Sequence, residues 1–436
     1  MMQKVLFDKR EFAKSRSLSN TDSRSGCFVD NMRLPVHRWY RYSAGFSADW
    51  VRLMLHEKTQ GSKSDCVVLD PFAGIATTLV ACEMENVQCF GFEPHPFIFR
   101  MAETKLDLCR CSTEILSNLF TKFVNDFKKH PRVNDEAVSP LLDKCYAKES
   151  LNELLTMKKI LKTDYFGLEA RILWFVVTSI LRSCSCVGTA QWQYVLPNKT
   201  KACVTSPLTA LIDKTTQILE DVGNFGSASS FHRAKLFCAD ARNSRDLEED
   251  SIDYVITSPP YPNNYDYADA TRLEMTFWGE ICGWADLHSV VRSRLLCSCS
   301  QHSAAAKVRL PDILRHSILS PILTELQNVC ERLETIRHQK GGKKTYHTMI
   351  ASYFLDLASV FRTLRRVCRK DAEVCFIVGD SAPYGVYVPV EKWLGELAMA
   401  EGFHSYHFEK IRDRNIKWKN RKHDVPLKEG RLWIRG

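Results

Sequence analysis

Between Ser64 and Phe97 the chain passes twice from an apolar run to a polar turn, in SDCVVLDPFAGIATTLVACEMENVQCFGFEPHPF. The pattern predicts a strand over Cys66 to Leu69, a glycine-containing turn, a helix starting near Ala76 and a second strand over Gln88 to Phe92. Runs that are apolar at every position, rather than at alternate ones, belong to strands covered on both faces, so this is a βαβ unit with parallel strands. Residues 99–225 change period. Apolar residues recur every three or four positions through ILSNLFTKFVNDF and LNELLTMKKIL, the spacing of amphipathic helices, and the whole stretch to residue 230 reads as a helical insertion.

Strands resume at AKLFCAD (234–240) and SIDYVITS (251–258), with the charged turn ARNSRDLEED between them. Residues 281–345 are basic and helix-prone. The α/β rhythm then returns: helix IASYFLDLASVFRTLRRVC, strand AEVCFIVGDS, helix VEKWLGELAMAEGF, strand HSYHFEKI and a terminal strand RLWIR. Strands alternating with helices imply an open, doubly wound α/β sheet, whose ligands bind beyond the carboxyl ends of the strands. The expected organisation is a mobile arm over 1–30 and one domain over 31–436, interrupted by the helical insertion 99–230 and by the basic insertion 281–345, a candidate for reading a target.

Composition narrows the class. Sixty Lys and Arg against 51 Asp and Glu leave a formal charge of +9, which suits a polyanionic partner. The 17 cysteines are scattered, and several (Cys66, Cys89, Cys238, Cys375) sit in apolar runs where a reduced thiol acts as a small hydrophobe. No C-x-x-C pair occurs, so no metal site is expected, and a reducing cytoplasm fits. The first 26 residues carry charges every few positions, which argues against a secretory signal. The longest apolar run, ILWFVVTSIL, is about half of the roughly 20 residues a bilayer demands, so no membrane association is expected.

Candidate chemistry gathers at the predicted strand ends. In DPFAG, Gly74 permits a tight turn and the helix after it offers free N–H groups. Glu93 follows Asp70 by 23 residues, near the spacing at which an acid meets ribose hydroxyls, although an ordinary βα connection can show the same pattern. Asp240 closes the third strand, and Ser258-Pro259-Pro260-Tyr261 the fourth. Two consecutive prolines stiffen a turn and leave carbonyls free to accept; Ser258 adds an acceptor and Tyr261 a flat face. Such a site suits a planar ring bearing an amino group. Asn263, Asn264, Asp266 and Asp269 read as a solvated loop.

Taken together, VLDPFAG, GFEPHPF, FCADAR and DYVITSPPY resemble the S-adenosylmethionine-dependent DNA amino-methyltransferases, which modify the exocyclic amine of cytosine (N4) or adenine (N6). HRWYRYSAGFSADWVRLML is similar to the segment these enzymes place before the D-P-F-A-G strand, and FIVGDS and VPVEKWLGEL to the elements after the catalytic strand. The resemblance runs intermittently from about residue 35 to the C-terminus, leaving the two insertions unaccounted for. It implies a Rossmann-like, doubly wound methyltransferase sheet with helical insertions. Phe46 would lie near the cofactor methionine, Asp70, Phe72 and Gly74 would shape the cofactor pocket, Glu93 would bind the ribose and Asp240 the adenine amine. Ser258, Pro259, Pro260 and Tyr261 would hold the target base.

The implied partners are duplex DNA, from which the base is flipped, and a cognate restriction enzyme. The chain departs from the family where a small polar residue and a second glycine usually follow D-P-F-x-G; Ile75-Ala76 stands there, which is expected to narrow the turn. S-P-P-Y is commoner among N4-cytosine enzymes and D-P-P-Y among adenine enzymes. Modification of adenine, action on RNA and a non-catalytic DNA-binding subunit are the rival readings. Ten Lys or Arg against three acids between Lys410 and Gly436, interleaved with Trp418, suggest a segment that tracks phosphates.

Overall fold

The computed structural model describes residues 29–42, 45–58, 66–134, 138–189, 194–225, 234–341, 344–414 and 425–436. The expected arm lies, up to residue 28, outside them; Val29–Arg33 already forms a short 3₁₀ helix. The strands are β1 (Val67–Asp70), β2 (Gln88–Phe92), β3 (Val187–Thr189), β4 (Val195–Thr200), β5 (Lys235–Phe237), β6 (Ile252–Thr257), β7 (Cys368–Gly379), β8 (Ser405–Arg414) and β9 (Leu427–Arg435). Seven of them form one sheet in the order β5-β2-β1-β6-β7-β9-β8. The five from β5 to β7 run parallel, and β9 and β8 close that side antiparallel. Chain order reverses between β1 and β6, so the switch point of this doubly wound sheet lies where those two strands end.

Alternation along each strand sends neighbouring side chains to opposite layers. Val68, Cys89, Cys375 and Ile377 enter one core, with the helices Ala48–Lys58, Thr77–Met84 and Pro96–Arg110 and the helical stretch beyond. Val67, Leu69, Val374, Phe376 and Val378 enter the other, beneath Tyr346–Val367 and Val390–Ala400. Both faces are covered, which is why the strands read as continuous apolar runs.

Within 99–225 the structure adds the hairpin β3–β4 to the expected helices. Its strands are only 3 and 6 residues long, and β4 contains Pro197, tolerated because a two-stranded ribbon has only edges. The apolar helix Gly167–Cys184 is buried in the first core, and among the described residues no helix is long and apolar enough to cross a membrane. Cys238, expected inside an apolar run, is exposed, because β5 ends one residue earlier at the sheet edge.

One buried carboxylate attaches the segment before β1. Asp221, on the helix Pro207–Phe225, accepts from the amide of Val36 (3.0 Å), from Arg38 Nε (3.0 Å) and Nη2 (2.5 Å), and from Trp39 Nε1 (2.8 Å). Val36 is a β-branched residue at φ 67°, a conformation that persists only where its surroundings impose it. Replacing Asp221 by Ala strands several buried donors and should destabilise the fold by about 3–5 kcal/mol; a denaturation midpoint close to wild type would show that the segment is held by apolar packing instead.

Candidate active site

Because five parallel strands end together, the turns after β1, β2, β5 and β6 meet at one edge. They border an open cleft lined by Phe46, Phe72, Gly74, Glu93, Asp240, Ser258 and Pro260, among others. Residues that were dispersed along the chain thus share one cavity. Asp70, Pro259 and Tyr261 do not line it.

Asp70 was expected as a pocket group and serves instead as a strut. Fully buried, its carboxylate accepts from Thr257 Oγ1 (2.5 Å) at the end of β6, from Thr78 Oγ1 (2.6 Å) in the helix after the turn, and from the Phe72 amide (3.1 Å). Burial pushes its carboxyl up to about 6, against the pull of those donors. Its partners all lie inside the protein and it does not line the cavity, so Asp70 shapes the cleft from behind.

The turn itself bends through two left-handed residues, Gly74 (φ 51°) and Ala76 (φ 62°). A glycine would adopt the second conformation without strain, and Ala76 bears it with its methyl packed in the core rather than in the cleft. Of the Ile75-Ala76 pair, Ile75 lines the cavity and Ala76 does not. Buried Lys105, held down to about 8 by desolvation, donates to the Ile75 carbonyl at 3.0 Å and fixes the turn from the helix Pro96–Arg110.

Glu93 leaves β2 into the cleft. Its Oε1 accepts from the His95 amide at 2.8 Å. Burial raises its carboxyl to about 7. His95 is pushed down to about 3 by burial and meets Thr271 Oγ1 at 3.0 Å, so a neutral imidazole borders the acid. Across the cleft, the Asp240 carboxylate is gripped by Arg242 (Nη2 to Oδ2 2.6 Å), whose Nη1 reaches half-buried Asp356 at 2.9 Å.

Ser258 faces the cleft and donates to the Ile377 carbonyl at 3.3 Å, while Tyr261 lies outside it. The loop beyond is more built than its polarity suggested. Asn264, at φ 65°, accepts from the amide (2.8 Å) and hydroxyl (2.7 Å) of Ser300, and Asp266 forms a bidentate ion pair with Arg292, both nearly fully buried. Only Asn263 of the four polar residues is exposed.

These ties bring in pocket residues that no motif announced. Leu295 and Leu296, from the basic stretch 281–345, line the cleft, and the Cys297 amide donates to Asp356 at 2.9 Å. Tyr42 and Tyr267 line it from loops without periodicity. Conversely, the C-terminal basic count overstates free charge: Lys410 pairs with Asp413, Arg412 and Arg414 with Glu429, Lys428 with Glu391, Arg431 with Glu409 and Arg435 with Glu373. Lys417, Trp418, Lys419, Arg421 and Lys422 lie outside the described residues.

No protein-family profile and no solved structure matches the chain. Among curated proteins it is 25% identical over 426 residues to the Type II methyltransferase M.BsoBI of Geobacillus stearothermophilus, covering 86% of this chain and 79% of that protein. It is 26% identical over 412 residues to the Type II methyltransferase M.AvaI of Nostoc sp. (strain PCC 7120), covering 86% and 80%. The mostly parallel sheet is consistent with a methyltransferase fold, and the similarity to these enzymes extends along most of the chain.

The Glu93 carboxyl, raised by folding, carries a signed consequence. The native state keeps a proton that the unfolded chain loses near pH 4.5, so this stabilisation is full below that pH and disappears as pH rises through about 7. Wild type should lose on the order of 2–3 kcal/mol relative to Glu93→Gln between pH 4.5 and 7.5; parallel stability curves for the two proteins would contradict it.

Proposed function

We propose that the chain is a DNA amino-methyltransferase that transfers the methyl group of S-adenosylmethionine to the exocyclic N4 amine of cytosine in duplex DNA, as the modifying partner of a restriction enzyme. The observation that carries this reading is the single cleft that Glu93 and Asp240 share with Ser258 and Pro260. Two acids suited to a nucleoside and a motif suited to an aminated ring thereby border the same space. Relatives named Type II methyltransferases, aligned over most of the chain, point the same way.

The donor set fits the cofactor. Glu93 has one oxygen engaged by the His95 amide, leaving acceptor capacity for a pair of ribose hydroxyls. Asp240, its carboxylate held by Arg242, lines the cleft together with Leu295 and Leu296, a mixture of one acid and apolar surface suited to an aminated purine. Phe46 and Phe72 offer apolar walls along the remainder. When bound, the cofactor supplies an electrophilic sulfonium methyl.

The protein's own share of the chemistry is positioning. The lone pair of a cytosine amine is delocalised into its ring, and acceptors at Ser258 Oγ and the Pro259 carbonyl draw on the amine hydrogens and favour a tetrahedral nitrogen. Holding that nitrogen at attack distance supplies much of the acceleration, and the fixed dipoles stabilise its developing charge. No covalent intermediate is required. The base must leave the duplex to reach the pocket, at a cost of about a few kcal/mol, and Tyr261 is assigned the ring on which it stacks.

Nucleoside mass spectrometry of DNA from cells expressing the chain should reveal N4-methylcytosine, absent from cells expressing Ser258→Ala. N6-methyladenine alone would transfer the assignment to adenine; neither product, with cofactor still bound in calorimetry, would favour an RNA substrate or a non-catalytic role. In vitro, Ser258→Ala should lower turnover by at least about 100-fold with cofactor affinity retained, whereas Glu93→Ala should weaken cofactor binding first.

A further inference from the structure

The guanidinium of Arg414, at the end of β8, lies 5.4 Å from the ring centre of Tyr261. Arg414 is itself fixed: Nη1 donates to the Asp380 carbonyl at 3.0 Å, and Nε approaches the buried carboxylate of Glu429 at 3.5 Å. Its side chain is only 17% exposed.

Gly379, the last residue of β7, makes this meeting sterically feasible. A methyl group there would sit 2.6 Å from Arg414 Nη1 and 3.2 Å from Tyr261 Cε2. Its φ is not positive, so the backbone would accept any residue. What the position requires is empty space, and that space is where the arginine and the tyrosine converge.

We infer that Arg414 is a positioning residue for Tyr261, presetting the ring from the C-terminal hairpin so that a target base meets an ordered stacking face. The inference rests on the reading of Ser258 to Tyr261 as the base-holding motif. A guanidinium over a ring face is attracted by its quadrupole, and Arg414 is restrained by two further partners, so the ring is ordered before DNA arrives. Arg414 is not a free phosphate ligand on this geometry, because Glu429 and the Asp380 carbonyl already engage it.

The test uses full-length protein carrying 3-fluorotyrosine, with the Tyr261 resonance assigned through Tyr261→Phe, together with kinetics and melting temperatures. Arg414→Ala and Gly379→Ala should each shift the Tyr261 fluorine resonance without DNA, and each should lower kcat/KM for DNA by about 10–100-fold with cofactor affinity unchanged. Gly379→Ala removes no charge, so its agreement with Arg414→Ala would separate positioning from ion-pair loss. Arg414→Lys should recover part of the activity, since it keeps the charge but not the planar fork. An unshifted Tyr261 resonance in both alanine variants would overturn the inference, whatever the activity. A drop of about one in the salt slope of DNA binding for Arg414→Ala, with turnover intact, would also overturn it in favour of a phosphate contact. If wild type methylates no DNA, the functional reading fails on its own, and the resonance still decides whether Arg414 orders Tyr261.

Discussion

The site depends on a single buried carboxylate. Asp70 ends β1 at the point where chain order reverses, and its bonds to Thr257 and Thr78 lock the ends of two central strands and the start of a helix into one rigid corner. Removing a carboxylate from water is costly unless it is amply hydrogen-bonded, and three donors supply that compensation. The turn carrying Phe72 and Gly74 and the turn carrying Ser258 then start from fixed positions. Their spacing across the cleft is set by this corner rather than by flexible loops.

Around the corner, charged pairs bind the long connections to the edge. Arg242 spans Asp240 and Asp356, and Arg292 closes on Asp266, so the walls opposite the first turn are fastened by ionic contacts rather than by secondary structure. A buried pair contributes little net stability but strongly penalises any arrangement that separates it. The basic stretch 281–345 is therefore tied to the loop beyond Tyr261, and its two leucines face the same cavity as Glu93.

Much of this was legible in the sequence where a local rule applies. Continuous apolar runs disclosed the parallel strands, and the polar residues that end them identified the edge at which Glu93, Asp240 and Ser258 meet. Asp70 showed the limit of that logic: a terminal acid points equally well into a cavity or into the protein, and only the presence of Thr78 and Thr257, the latter 187 residues away, decides. Leu295 and Leu296 were invisible because their place depends on Asp356, a partner on a remote helix that leaves no periodic trace. The C-terminal charge count misled for the same reason, since acids from β7, β8, β9 and a neighbouring helix neutralise it in space.

The 187-residue separation between Asp70 and Thr257 also has a meaning in time. At a synthesis rate of about 5–20 residues per second, β6 emerges roughly 10–40 s after β1. Until then the β1 turn has no opposing wall, and Asp70 remains a hydrated acid without one of its donors. No N-terminal fragment that ends before Ser258 contains both walls of the cleft. Whatever the finished protein binds, a nascent or prematurely terminated chain lacks the corner needed to compete for it, so the topology itself withholds the binding site until most of the message has been read.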